Sequence, residues 1–311
     1  MKDNFGREIE YLRLSVTKRC NLNCSYCGSK NGRKEDEMSA EEIIALVTAF
    51  SEKGIKKVRL TGGEPLVRED IIEIARGIKS IPGIESLFIT TNGILLGEYA
   101  VSLKEAGVDG VNISLDALNS RLYKEITGVD RLKNVLDSLN ICLEAGFSSV
   151  KINSVLVRGR NDGEAKGLME LAKNRKLDVR FIELMPFSDE GDNKDLLVST
   201  AELLSRFPFL EKVENEEKGA AKYYKAEGFL GRVGFISPRS EKFCFSCNRI
   251  RVLADGRIRP CLANELTFDA RPYIFHKEKL LQVISEAILN KPASHHFEDG
   301  DNFRGLNLIG G

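Results

Sequence analysis

The amino-acid sequence predicts an α/β fold of six parallel strand–helix units, and three observations carry that expectation. Short β-branched or apolar runs alternate with helix-length amphipathic segments between residue 11 and about residue 183. A glycine follows each of three helices and precedes the next strand, at Gly54, Gly107 and Gly146, which is the punctuation of parallel β/α units. Polar residues cluster just after the strands. Six units fit either an open doubly wound sheet or an incomplete barrel, and both bind ligands where the strands end.

Strands are expected over residues 11–16, 57–61, 86–90, 110–114, 150–155 and 179–183. Between the first two lies a helix that Ser39 should N-cap, with Glu42 closing a capping box. It should bury Ile43, Ile44, Val47 and Phe50 and stop at Gly54. The polar clusters at the strand ends are Thr61-Gly62-Gly63-Glu64, Thr90-Thr91-Asn92, Ser114-Leu115-Asp116, Asn153-Ser154 and Glu183-Leu184-Met185. After Pro186 the regularity fades, and the acidic stretch 211–217 reads as a solvated connection. A second region begins near Gly231, giving an expected division into residues 1–230 and 231–311. It ends in a helix over 277–290 whose buried side is Leu280, Val283, Ile284, Ala287 and Ile288.

With 311 residues, 42% of them hydrophobic and 30% charged, the chain is a soluble globular protein of roughly two domains. Its 46 Lys and Arg cancel 46 Asp and Glu, leaving no global basic field to gather nucleic acid or anionic membrane. Any anion site must be local. No apolar run approaches the span of a bilayer and residues 1–10 are charged, so a cytoplasmic protein without membrane or nucleic-acid partners is expected. Three histidines, His276, His295 and His296, leave little material for imidazole catalysis. Seven cysteines in a reducing compartment point to metal or catalysis rather than disulfides. Cys142 stands alone beside Ile141 and Leu143 and reads as core; the other six form two groups.

Cys20-x3-Cys24-x2-Cys27 follows the first strand, and three thiolates so close can hold three irons of a [4Fe–4S] cluster, leaving the fourth open. Structural zinc prefers four closed ligands, and no nearby histidine offers the fourth. With Tyr26 before the third cysteine and Gly62-Gly63-Glu64-Pro65 after the second strand, the sequence resembles the radical S-adenosylmethionine (SAM) superfamily. The resemblance implies an incomplete (β/α)6 TIM-type barrel with a C-terminal iron–sulfur region. It implies that SAM chelates the open iron, receives an electron from an unidentified low-potential donor and breaks to methionine and a 5′-deoxyadenosyl radical. It also implies that Tyr26, Gly63, Ser114 and Met185 contact the cofactor, while Glu64 orders the loop or accepts from the amine. The blander readings are a strand-end cap for Ser114 and core filler for Met185.

Cys244-x2-Cys247-x13-Cys261 again offers three thiolates, most economically a second site-differentiated cluster, since a zinc ribbon would want two pairs. Arg249, Arg251, Arg257 and Arg259 concentrate positive charge there; Arg257 and Arg259, flanking Asp255-Gly256, read as a solvated turn. The run from Phe243 to Arg251, with Pro260-Cys261-Leu262, resembles the GTP 3′,8-cyclase family of molybdenum cofactor biosynthesis, and the likeness runs from Tyr11 to Gly310-Gly311. Gly28-Ser29 departs from it, where many relatives have Met-Pro. The family implies two [4Fe–4S] clusters and hydrogen removal from C3′ of GTP, after which the sugar radical attacks C8 of guanine. It implies Arg13, Arg59, Thr90 and Lys151 on the phosphate and sugar, with Lys57 and Arg180 as further strand residues of the same half. Arg249, Ile250 and Arg251 would line the base and second cluster, and Gly310 and Gly311 would reach the arginines that steer the radical. The sequence is compatible with a homodimer. No P-loop or dinucleotide fingerprint occurs, so nucleotide binding must rest on side chains. The rivals are a peptide-modifying radical enzyme with an auxiliary cluster, whose relatives usually carry more cysteines, and a non-catalytic iron–sulfur or zinc module, which leaves the β/α frame unexplained.

Overall fold

The computed structural model describes residues 1–27, 36–214, 219–295 and 297. Strand β1 (Tyr11–Ser15) leads to helix α1 (Ala40–Glu52), followed by β2 (Lys57–Thr61), α2 (Ile71–Lys79) and β3 (Ser86–Thr91). Next come α3 (Leu96–Glu105), β4 (Gly110–Ser114), the pair α4 (Ser120–Thr127) and α5 (Leu132–Glu144), β5 (Ser149–Leu156), α6 (Ala165–Glu170) and β6 (Asp178–Glu183). The α1 capping box forms as its sequence requires. Ser39 Oγ accepts from Glu42 N at 3.1 Å, and Glu42 Oε2 accepts from Ser39 N at 2.7 Å. Ile43, Leu46, Val47 and Phe50 are buried while Ile44 is only partly so. Gly54, at φ +93°, turns the chain toward β2.

Strands β1 to β6 lie side by side in chain order and all run parallel, each helix serving as the crossover. The remaining elements are α7 (Asp189–Asp192), α8 (Thr200–Arg206), β7 (Glu211–Lys212), β8 (Lys222–Lys225), β9 (Arg232–Ile236), β10 (Arg249–Val252), β11 (Arg257–Arg259), β12 (Phe268–Asp269) and α9 (Lys277–Leu289). Two of these extend the parallel sheet: β9 pairs with β6 and β10 with β1. Antiparallel β8 and β7 finish one edge, β11 and β12 the other, so among the described residues the twelve strands do not close. This is an incomplete TIM-type barrel. Residues on either side of position 230 share the sheet.

Period-two alternation decides what each sheet face carries. Leu12, Leu14, Val58, Leu60, Leu87, Ile89, Val111 and Ile113 face the helices and form the core. Tyr11, Arg13, Lys57, Arg59, Phe88 and Thr90, interleaved with them, face the concave side.

The acidic connection is shorter than expected, because Glu211 and Lys212 pair with Lys225 and Tyr224; residues 215–217 lie outside the described residues. On α9, Leu280, Ile284, Ala287 and Ile288 are buried and Val283 packs at the margin. Arg259 also departs from expectation. Arg257 is exposed and paired with Asp255 at 2.8 Å, but Arg259 is buried beneath the next turn, donating to the carbonyls of Cys261 and Leu262 at 3.2 and 3.0 Å. Among the described residues, no helix is long and apolar enough to cross a membrane.

Candidate active site

The concave face encloses a cavity of about 580 Å3, within the range that holds small ligands and cofactors. All six grouped cysteines line it, as free thiols, while Cys142 is buried in α5.

The first group sits on the loop leaving β1. Main-chain hydrogen bonds from Asn23 and Ser25 to Thr127 and Ile126 pin this loop to the end of α4, and Cys27 N closes a turn on Cys24 O at 3.1 Å. On its other side Gly63 N donates to Thr17 O and Glu64 N to Arg19 O, both at 2.8 Å. A Cβ on Gly62 or Gly63 would collide with the backbone of residues 17–19. The close approach these glycines allow is that of the cysteine loop, and both also line the cavity, where the resemblance implies that Gly63 contacts the cofactor. Glu64 ties this turn to the end of β3. It is buried, accepts from Leu66 N, Asn92 N and Thr91 Oγ1 at 3.0, 2.6 and 2.7 Å, and does not line the cavity. Burial pushes its carboxyl up to about 7 against those three donors.

Tyr26 lines the cavity and donates its hydroxyl to Asp116 Oδ2 at 2.6 Å, while Asp116 Oδ1 accepts from Val155 N at 2.8 Å. Burial raises the Asp116 carboxyl to about 6 and drives the Tyr26 phenol well above its ordinary value. Ser114, ending β4, and Met185, just past β6, also line the cavity. Burial, with the neighbouring Asp116 and cysteines, pushes the Cys24 thiol far up, and burial raises Cys20 too. Three soft donors whose thiolates repel one another in a partly buried pocket suit a cationic iron centre, so this donor set fits a cluster.

The second group lies before and after β10 and β11. Cys244 is raised by burial, moderated by a hydrogen bond from the His295 backbone. At Cys247 burial acts upward but Lys291 and Arg249 outweigh it, and the thiol is lowered. Lys291, itself buried, donates to Pro260 O at 2.8 Å. Three thiols ringed by cations also fit an anionic thiolate cluster. Lys291 and His295 were not singled out in the sequence because they lie in the segment after α9, with no local motif.

Between the groups stands a cationic wall. Register places Arg251, Arg13 and Arg59 side by side across β10, β1 and β2. Lys57, Lys151, Arg180, Arg249 and Lys291 complete eight cations, and Asp116 is the sole carboxylate among the described lining residues. Lys151 pairs with Asp178 at 3.6 Å, which also holds Arg232 at 2.8 Å. Arg180 Nε and Nη2 donate to Asn153 Oδ1 at 2.9 and 2.6 Å, and Arg59 Nη1 reaches Thr90 Oγ1 at 3.4 Å. Burial, then crowding by Arg59, Arg249 and Arg180, lowers Arg13 to about 10 although Tyr11 acts oppositely; burial and neighbouring arginines lower Arg251 well below its ordinary value. Guanidinium stays charged, so an anion placed among these buried cations would offset the cost of burying them.

Thr90 lies within β3 rather than beyond it. Ile250 is the correction on this wall: alternation along β10 turns its side chain into the core, and it does not line the cavity. Gly310, Gly311 and the Gly28-Ser29 departure lie outside the described residues.

The Radical SAM superfamily matches residues 14–172 and Molybdenum Cofactor Synthesis C matches residues 177–297. A protein of Alkaliphilus oremlandii named GTP 3′,8-cyclase is 43% identical over 320 residues, covering 100% of both chains. Its namesake in Peptoclostridium acidaminophilum is 40% identical, covering 99% of this chain and 98% of that one. That of Listeria welshimeri is 42% identical, covering 95% and 92%. Among solved structures, Streptococcus suis SuiB bound to S-adenosylmethionine shares the fold at a TM-score of 0.61 and 16% identity, with 89% of this chain spanning 65% of that one.

Proposed function

The chain belongs to the radical SAM superfamily and, within it, to the GTP 3′,8-cyclase family, and from that premise we propose how its residues divide the work. The reaction is conversion of GTP to (8S)-3′,8-cyclo-7,8-dihydroguanosine 5′-triphosphate, the first step of molybdenum cofactor biosynthesis. The carrying observation, among the described residues, is a wall of eight cations and no carboxylate but Asp116, lying between two cysteine groups on one cavity.

Cys20, Cys24 and Cys27 would hold the [4Fe–4S] cluster, with Tyr26, Gly63, Ser114 and Met185 around SAM. When bound, that pair supplies the 5′-deoxyadenosyl radical that takes hydrogen from C3′ of GTP. Asp116 fixes the Tyr26 ring through its hydroxyl. Arg13, Arg59 and Lys151, with Thr90, bind the triphosphate and sugar, and Lys57 and Arg180 strengthen the same field. Cys244, Cys247 and Cys261 would hold a second [4Fe–4S] cluster at the guanine end, where Arg249 and Arg251 orient the base. Ile250 contributes backbone only. The division of labour is residues 1–230 for SAM and phosphate, and 231–311 for guanine. The family resemblance adds Gly310 and Gly311 to the radical-steering side. A low-potential electron donor and a reducing compartment such as the cytoplasm complete the reading.

The test is anaerobic reconstitution followed by incubation with SAM and a strong reductant, with and without GTP. About seven to eight irons per chain are expected, with both 5′-deoxyadenosine and the cyclic nucleotide as products. Arg249→Ala, Arg251→Ala and deletion of Gly310 and Gly311 should each keep iron and SAM cleavage while losing cyclisation. A single zinc at the second group, or loss of iron from the arginine variants, would overturn this assignment.

A further inference from the structure

A phenol stands among the cations of the wall. Tyr11 opens β1 on its concave face, in register with Lys57 of β2 and Arg249 of β10. Its hydroxyl accepts a hydrogen bond from Arg59 Nε. Lys57 Nζ, Arg59 Cζ and Arg249 Cζ lie 5.3, 5.9 and 6.0 Å from its ring centroid. Arg13 on the same strand and Arg180 on β6 add their fields, and the β3 neighbours Phe88 and Thr90 carry no charge. Among the described residues, the charged groups that bear most on this phenol are therefore positive.

We propose that the Tyr11 oxygen is the internal counter-charge of the wall while no nucleotide is bound, and that a bound triphosphate displaces it from that role, the phenolate taking up one proton from solvent. The inference rests on the reading that the wall receives the triphosphate. Burial pushes the phenol up, but Arg59, Arg13 and Arg249 outweigh it and pull it down to about 7. Phosphate oxygens beside the same cations cancel the field that stabilises the phenolate, so the O–H bond re-forms. Only a proton moves. Tyr11 is a positioning residue: it holds Arg59, and Arg59 meets the phosphate.

The chain has seven tyrosines and no tryptophan, so near-ultraviolet tyrosinate absorbance can be titrated without indole. In reconstituted wild-type protein one tyrosine should ionise near neutrality, and inorganic tripolyphosphate should shift that ionisation upward; Tyr11→Phe should lack it. The ratio of the GTP KM of wild type to that of Tyr11→Phe should climb above about pH 7, by at most tenfold per unit, while the kcat ratio stays flat. The titration of GTP itself is common to both proteins and cancels. Absence of a neutral-range ionisation in wild type, or a KM ratio independent of pH, overturns the proposal. Should tripolyphosphate raise the Tm of neither protein, the wall reading itself fails; protection of both without any neutral-range tyrosine leaves the wall and removes Tyr11.

Discussion

A methyl group on residue 63 would stand 2.2 Å from the Arg19 carbonyl oxygen and 2.6 Å from its carbon. Neither is the end of a flexible side chain, so the loop carrying Cys20 would have to move, at about 1–3 kcal/mol. Gly63→Ala should therefore lose about half of the reconstituted iron and all deoxyadenosine formation, with the second group still loaded and only a modest fall in Tm. Full iron content in that variant would show the loop tolerates displacement. Gly-Gly-Glu-Pro was legible as a motif, but the partner of each residue was not. Glu64 gathers donors from Leu66, Thr91 and Asn92, and the last two come from the end of β3. The wall cations were named from the family resemblance, and alternation in β2 and β10, with Lys57 and Arg59 on one strand and Arg249 and Arg251 on the other, agrees with that naming. The same alternation excludes Ile250, whose identity was inferred from the family motif rather than from the period.

At the scale of elements, the segment before β1 works as a clamp on the second cysteine group. Buried Arg7 pairs with Asp3 at 2.6 Å and donates to the carbonyls of Cys244, Ala293 and Pro292 at 2.9, 2.9 and 2.7 Å. Arg7→Ala would strand a buried carboxylate and three carbonyls, at about 3 kcal/mol or more. It should release iron from the second group to a chelator while the first group keeps cleaving SAM; equal retention at both groups would refute the clamp. Nothing in the sequence near Arg7 announces this, since its carbonyl partners lie 237 to 286 residues away. The helices were legible where caps and periodicity are local, as at Ser39 and Glu42. The short β7 and β8 strands were not, because two to four residues carry too little pattern.

For the whole molecule, β9 and β10 cover the edges that β6 and β1 would otherwise expose. Phe181 and Phe235 pack at 5.9 Å across one seam, and Asp178 holds Arg232 beside it. A fragment of residues 1–230 would leave two unpaired apolar parallel edges, the condition for aggregation. It should be largely insoluble when expressed alone, whereas the full chain stays soluble; a monomeric, cooperatively folding fragment would contradict this account. The sequence by itself determined the repeated β/α frame and the two cysteine groups, because capping, period and ligand spacing are local properties of the chain. Only the tertiary structure decided that both cysteine groups open on one cavity, that the strands after residue 230 complete the parallel sheet, that Arg259 is buried, and that Tyr11, Lys291 and His295 belong to the site. Those outcomes depend on which strand edges pair, and pairing joins residues hundreds of positions apart through main-chain hydrogen bonds that no local pattern encodes.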